Sequence, residues 1–171
     1  MNNLQNFFKE IRDIPYSIPL SYGAEDRCCT GKHKKLLEAL KENGYEVRWR
    51  VCTFKWSDLP IPQDVSVVPH DDNSTHVYLE VMIEGAWKKV DVTWDKGISS
   101  ALPVNEWDGV SDTPIAVPVI SVHSPEESLV IVEAESKEVV EADLRVNGKF
   151  YDAFNRWLQG VRATSVSRQF N

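Results

Sequence analysis

Apolar residues recur at helical spacing in the first dozen positions, where Leu4, Phe7, Phe8 and Ile11 fall on one stripe. Residues near 3 to 12 are therefore predicted to form an amphipathic helix that Pro15 and Pro19 stop. A second stripe, Leu36, Leu37 and Leu40 among lysines and glutamates, lies in CTGKHKKLLEALKENGY. The predicted helix starts near Cys29, and Asn43-Gly44 closes it as a C-cap. The period then changes to two. In YEVRWRVCTF, Tyr45, Val47, Trp49 and Val51 alternate with Glu46, Arg48 and Arg50, the pattern of a half-buried strand whose apolar face packs on the preceding helix.

A loop rich in Pro and Asp, residues 57 to 75, leads to the hairpin THVYLEVMIEGAWKKVDVTWD. Val77, Leu79, Val81 and Ile83 take one face of its first strand, and His76, Tyr78, Glu80 and Met82 the other. If Glu84-Gly85 is a two-residue turn, Ile83 pairs with Ala86, Asp91 faces Tyr78 and His76 faces Thr93. His76 and Asp91 then share a face as diagonal neighbours; a three-residue loop would separate them. After a turn-rich stretch, SLVIVEA reads as a further strand. A closing helix from about Phe150 to Val161 turns Tyr151, Phe154, Trp157 and Leu158 inward. Helices, then antiparallel strands, then a final helix make an α+β arrangement. No repeat or low-complexity linker interrupts it, so residues 1–171 read as one domain.

Composition narrows the function classes. With 42% apolar and 10% aromatic residues the chain can bury one sizeable core. The net charge of −7 comes from acids spread along the chain, with no lysine or arginine run, which argues against nucleic-acid and membrane-surface binding. The first residues have neither the basic start nor the apolar run of a signal peptide, and no apolar stretch is long enough to span a bilayer. The three cysteines Cys28, Cys29 and Cys52 suit a reducing compartment, so a cytoplasmic location is expected. They form no CxxC pair, no HExxH helix is present, and His33, His70, His76 and His123 are scattered, so neither a metal nor a cofactor is expected.

The chemistry suggested by the pattern is nucleophilic. A carboxylate on one nitrogen of an imidazole fixes the tautomer and stabilises the cation, which leaves the other nitrogen to act as a base. His76 and Asp91 supply that pair. Cys29 is the candidate nucleophile, because the start of a helix favours a thiolate; Lys32, one turn on, is expected to add positive charge. Cys28 is read as packing in the core or lining the site wall, its sulfur pointing away from that of Cys29. His33, one turn beyond Cys29, is a weaker candidate base with no evident orienting acid. His70 and His123 are expected in solvent. Glu80 either touches the site or bonds Lys89, and the tryptophans of NEWDG and TWD either line a groove or are buried indoles.

These segments resemble the core motifs of the transglutaminase-like superfamily. CTGKHKKLLEALKENGYEVR is similar to the first motif, in which a cysteine opens a helix ending at Gly before a strand with an Arg. HVYLEVMIEGAWKKVDVT is similar to the second and third, with His, an aromatic and an acid, then Gly, Trp and Asp followed by Thr. The resemblance covers residues 14–95, about half the chain, and leaves 96–171 as a C-terminal extension of the same domain. It implies a papain-like fold, a cysteine-bearing helix packed on an antiparallel sheet. It also implies a triad of Cys29 as nucleophile, His76 as base and Asp91 as orienting acid. The chain departs from the family pattern at Cys28, where a small residue is common, and at Asp91-Val92-Thr93, where Asp-Pro-Thr is frequent. Thr30 stands where the calcium-dependent animal enzymes have Trp, no loop has an EF-hand pattern, and the Arg-Gly-Gly of arylamine N-acetyltransferases is missing.

The function expected on this basis is thiol-dependent acyl transfer at an amide or peptide bond, through an acyl-enzyme on Cys29 and with a peptide or protein amide as substrate. Water as acceptor makes an amidase or protease; an amine makes a transamidase. The alternatives are a catalytically silent peptide-binding module of the same fold, or an interaction domain of a larger assembly.

Overall fold

The computed structural model describes residues 3–169, with side chains described for residues 4–165. It is a mixed α and β structure of five helices and a four-stranded antiparallel sheet in the order β3-β2-β1-β4. Helices α1 (Asn3–Arg12) and α2 (Cys29–Glu42) precede β1 (Val47–Lys55), and a short α3 (Gln63–Ser66) lies in the connection to β2 (Asn73–Ile83). Then come β3 (Ala86–Val90), β4 (Ser121–Val122), α4 (Pro125–Glu133) and the 33-residue α5 (Lys137–Gln169). None of the described helices is long and apolar enough to cross a membrane.

The hairpin turn is the one expected. Ile83 pairs with Ala86, and Glu84 and Gly85 both take positive φ, 49° and 80°, the backbone that a two-residue type I′ turn needs. The period-two faces follow. Val47, Leu79, Val81 and Val90 pack with Leu4, Phe8, Leu36 and Leu40 into one core between the sheet and the first two helices. The second core is aromatic. Trp56 lies with ring centroids 5.1 Å from Phe54, 5.1 Å from Phe150 and 5.3 Å from Phe154, and Tyr16 lies 4.7 Å from Trp94. Tilted and edge contacts of this kind add to the apolar area that such large rings bury. α5 is held to this core at its far end by Arg162, which donates to both oxygens of Asp95 and to the Tyr16 carbonyl.

Two expectations about the second half are corrected. The run SLVIVEA lies in α4, a helix, not in a strand. Ser124 accepts from the Glu127 N–H, Glu127 bonds back to the Ser124 N–H, and Pro125 takes the first turn. This capping box stands in the sequence and overrides the β-branched run behind it. Leu129 and Val130 are exposed, so the run has no buried strand face to fill. α4 instead covers the edge of β1, where Ser128 Oγ accepts from Val51 N–H and takes the place of a ladder partner. The closing helix begins at Lys137, well before Phe150. Its early turns were not predicted because Val139 and Val146 face solvent and break the apolar stripe.

Lys32 is also placed differently from the expectation. Its side chain is fully buried, and Nζ donates to the carbonyls of Arg12, Ile14 and Thr93 at 2.8, 3.0 and 2.7 Å. Burial pulls its pKa down to about 7, and this one nitrogen fastens the end of α1, α2 and the loop after β3. Lys32→Met should strand those acceptors and lower the unfolding free energy by about 3 kcal/mol or more, read from denaturant midpoints. A loss below about 1 kcal/mol would mean that the carbonyls find other donors.

Candidate active site

The site forms where β3 stops. The ladder between β2 and β3 ends at Leu79 and Val90, so the expected continuation through Asp91 and Thr93 does not pair with β2. The backbone there is satisfied by side chains instead. The Asp91 N–H donates to Thr113 Oγ1, the Val92 N–H to His33 Nε2, and the Asp91 carbonyl accepts from the Asn105 amide. The edge of β2 is left uncovered beyond Leu79. There the Val77 N–H, free of a β3 partner, donates to the Cys29 sulfur at the start of α2. Gly31 belongs to this arrangement, because an added Cβ would lie 2.0 Å from the Asp26 carbonyl oxygen that crosses the first turn of α2.

Cys29, His76 and Asp91 come together. His76 Nε2 lies 2.7 Å from Asp91 Oδ2, both side chains buried, and the Cys29 thiol stands close enough to the imidazole to raise its pKa. The contact between His76 and Asp91 is therefore the expected one, reached by an inward turn of the chain and not by a continued ladder. Asp91 has a full set of partners. Oδ2 also accepts from the Ala116 N–H at 2.8 Å, and Oδ1 accepts from the Thr93 N–H at 3.0 Å and the Thr93 hydroxyl at 2.6 Å.

These contacts set the charges. Burial favours a neutral Asp91, yet the charge and hydrogen bond of His76, with the hydrogen bond of Thr93, hold the carboxyl well below its ordinary range. Burial also opposes the His76 cation, but Asp91 and Cys29 together push the imidazole up to about 10. For Cys29 the largest influence is a hydrogen bond from the Cys28 thiol; with His76 it outweighs burial and pulls the Cys29 thiol well below its usual value. The same contact, with burial, pushes the Cys28 thiol far up. Cys28 packs against the aromatic core and lines the cavity wall, as expected. Cys52, opposite His76 in the ladder, is fully buried and raised to about 12 by that burial.

His33 is a clamp. Nδ1 lies 2.7 Å from the Cys29 carbonyl and Nε2 accepts from the Val92 N–H at 3.0 Å, so Nδ1 carries the proton and the ring is neutral. Burial keeps it so by lowering its pKa. An orienting acid does exist, as Asp91 Oδ1 lies 3.7 Å from Nε2, but both nitrogens are already engaged. The ring ties the first turn of α2, which carries Cys29, to the loop of Asp91.

The remaining expectations resolve by contact. Glu80 bonds Arg48 and Arg50, each at 2.7 Å, and neither Lys89 nor the site. Trp107 is buried and donates to the Ser111 carbonyl. Trp94 is buried, donates to the Ala116 carbonyl, and also lines the cavity beside Cys29. His70 stacks on Phe150 at 3.8 Å and His123 lies 3.8 Å from Glu127, so both are half-buried with partners. Asn105, Thr113 and the Ala116 N–H, which support Asp91, carry no sequence signal, because the segment near residues 112–116 runs beside β3 without a strand pattern. Among the described residues no three His, Cys, Asp or Glu side chains converge as a metal ion would need. No family model, curated protein or solved structure matches the chain.

Iodoacetamide at about pH 6, where an ordinary thiol near 8.5 stays protonated, should alkylate Cys29 well ahead of Cys28, read by peptide mass spectrometry. His76→Ala should remove that low-pH reaction in a still-folded protein, and Asp91→Asn should weaken it. Equal labelling of the two cysteines would contradict the charge assignment.

Proposed function

We propose that this protein is a thiol-dependent acyl-transfer enzyme of the transglutaminase-like kind, acting on an amide or peptide bond. The observation that carries the reading is the buried chain from the Cys29 sulfur through His76 to Asp91, at the wall of an open cavity. A pure binding surface has no chemical need for a lowered thiol, a raised imidazole and a carboxylate with four donors on it.

The steps follow from these positions. The Cys29 thiolate attacks the amide carbonyl carbon, and the oxyanion forms next to the first turn of α2, where backbone N–H groups point outward. The His76 imidazolium, its Nε2–H held by Asp91, gives the proton of its other nitrogen to the leaving amine. The C–N bond breaks, and a thioester remains on Cys29. Neutral His76 then takes a proton from the incoming water or amine as it attacks the thioester, which releases acid or a new amide and restores the thiolate–imidazolium pair.

The pH dependence has a defined sign. As pH rises through about 10, His76 loses the proton that the leaving amine needs, so kcat/KM should fall there. Toward acid it should persist well below about pH 8.5, until the thiolate is protonated. An alkaline limb near pH 7 would contradict the tight His76–Asp91 pair.

The acceptor is decided by competition. Once a cleavable amide is found by screening, Cys29→Ala should lower turnover by about 10⁴- to 10⁶-fold, the range seen on losing a triad member. Adding a primary amine to the active enzyme should divert product from acid to conjugate if transamidation dominates, because both acceptors partition one thioester. Unchanged acid release without conjugate by mass spectrometry identifies a hydrolase.

A further inference from the structure

We infer that the cavity beside Cys29 selects a slender apolar or aromatic group carrying a positive charge at its outer end; the inference rests on Cys29 being the reacting thiol. The cavity holds about 290 Å³, at the lower edge of the ~300–1,000 Å³ typical of small-molecule sites. It admits a chain end or single side chain, not the surface of a folded protein. Its deep walls are the buried rings of Tyr16, Trp56 and Trp94, and α5 closes the outer side with Val140 and Leu144. A charge placed against those rings would lose its hydration with no partner to replace it.

The mouth differs in character. Glu135 and Asp143 line the cavity with exposed side chains, Asp26 adds a carboxylate nearer Cys28, and among the described residues no lysine or arginine lines it. The Asp26 Oδ1 is engaged by the Cys28 N–H, and burial raises its pKa. Asp143 is better placed for a ligand. Its Oδ1 accepts from the Asn147 amide and the Tyr151 hydroxyl, which hold the carboxylate at the rim, and Oδ2 has no partner among the described residues. A cation at the mouth therefore meets two carboxylates, while an anion is repelled by both. The selectivity belongs to α5 and the turn before it, outside the segment that carries the motifs around Cys29, His76 and Asp91.

The test uses three chloroacetamides of matched length, N-butyl, N-(4-aminobutyl) and N-(3-carboxypropyl), on the intact protein. In each, the Cys29 sulfur displaces chloride and forms a C–S bond, so the second-order labelling rate reads recognition without a known substrate. Rates are divided by that of iodoacetamide, which is too short to reach the mouth. The aminobutyl probe should label Cys29 about tenfold faster than the carboxypropyl probe at low salt, with the gap narrowing at high salt as the exposed carboxylates are screened. Glu135→Gln and Asp143→Asn should each lower the ratio of aminobutyl to butyl labelling severalfold. Equal rates for the three probes, or a ratio that neither substitution changes, would overturn the inference. Failure of the parent reading looks different: iodoacetamide would label Cys29 no faster than it labels the unfolded chain, and the inference would fall with it.

Discussion

A carboxylate with no solvent exposure is the constraint around which this molecule is arranged. Asp91 is wholly buried, and an ionised carboxyl in such a place is tolerated only when its lone pairs are occupied and a positive charge stands close. The four donors from His76, Ala116 and Thr93 meet that demand. Meeting it ends β3 at Val90, because the residues that would have continued the ladder are turned toward the carboxylate instead. The uncovered edge of β2 then admits the first turn of α2. A single buried charge thus links the end of a strand, the position of a thiol and the tautomer of an imidazole.

The second half of the chain is a working part of this arrangement. Asn105, Thr113 and Ala116 hold the backbone and side chain of Asp91, and the Ala116 carbonyl receives the Trp94 indole. Residues from Val139 to Tyr151 of α5 form one wall of the cavity, while Phe150, Phe154 and Leu158 anchor the helix in the aromatic core. The bond of Arg162 to Asp95 fixes its far end. Residues between 29 and 91 supply Cys29, His76 and Asp91, and α5 walls the cavity in front of them.

Within the site, neighbouring groups divide the available protons unequally. Cys28 and Cys29 start with the same chemistry, yet the shared hydrogen bond lowers one thiol and raises the other. His33 and His76 likewise both approach Asp91, but His33 has its two nitrogens occupied by the Cys29 carbonyl and the Val92 N–H, and burial keeps it neutral. His76 keeps one nitrogen for the sulfur. Contact, not residue type, separates the charged members from the neutral ones.

What the sequence determined by itself is what local periodicity and turn chemistry encode. The stripe of Leu36, Leu37 and Leu40, the alternation of β1, and Glu84-Gly85 as a two-residue turn are legible because burial on one face repeats at 3.6 or 2 residues, and because few backbones accept two positive φ angles in succession. That turn sets the register of β2 and β3 up to Leu79 and Val90. The capping box of Ser124, Pro125 and Glu127 is also a local signal, and it prevails over the apolar run behind it. The tertiary structure alone decided where β3 ends, the three carbonyls that hold Lys32, the Cys28–Cys29 contact, the clamp by His33 and the cavity wall from α5. Each of these depends on groups brought together from distant parts of the chain or on rotamers chosen by packing. A pattern along one strand carries no information about which buried polar group will need a partner from the far side of the fold.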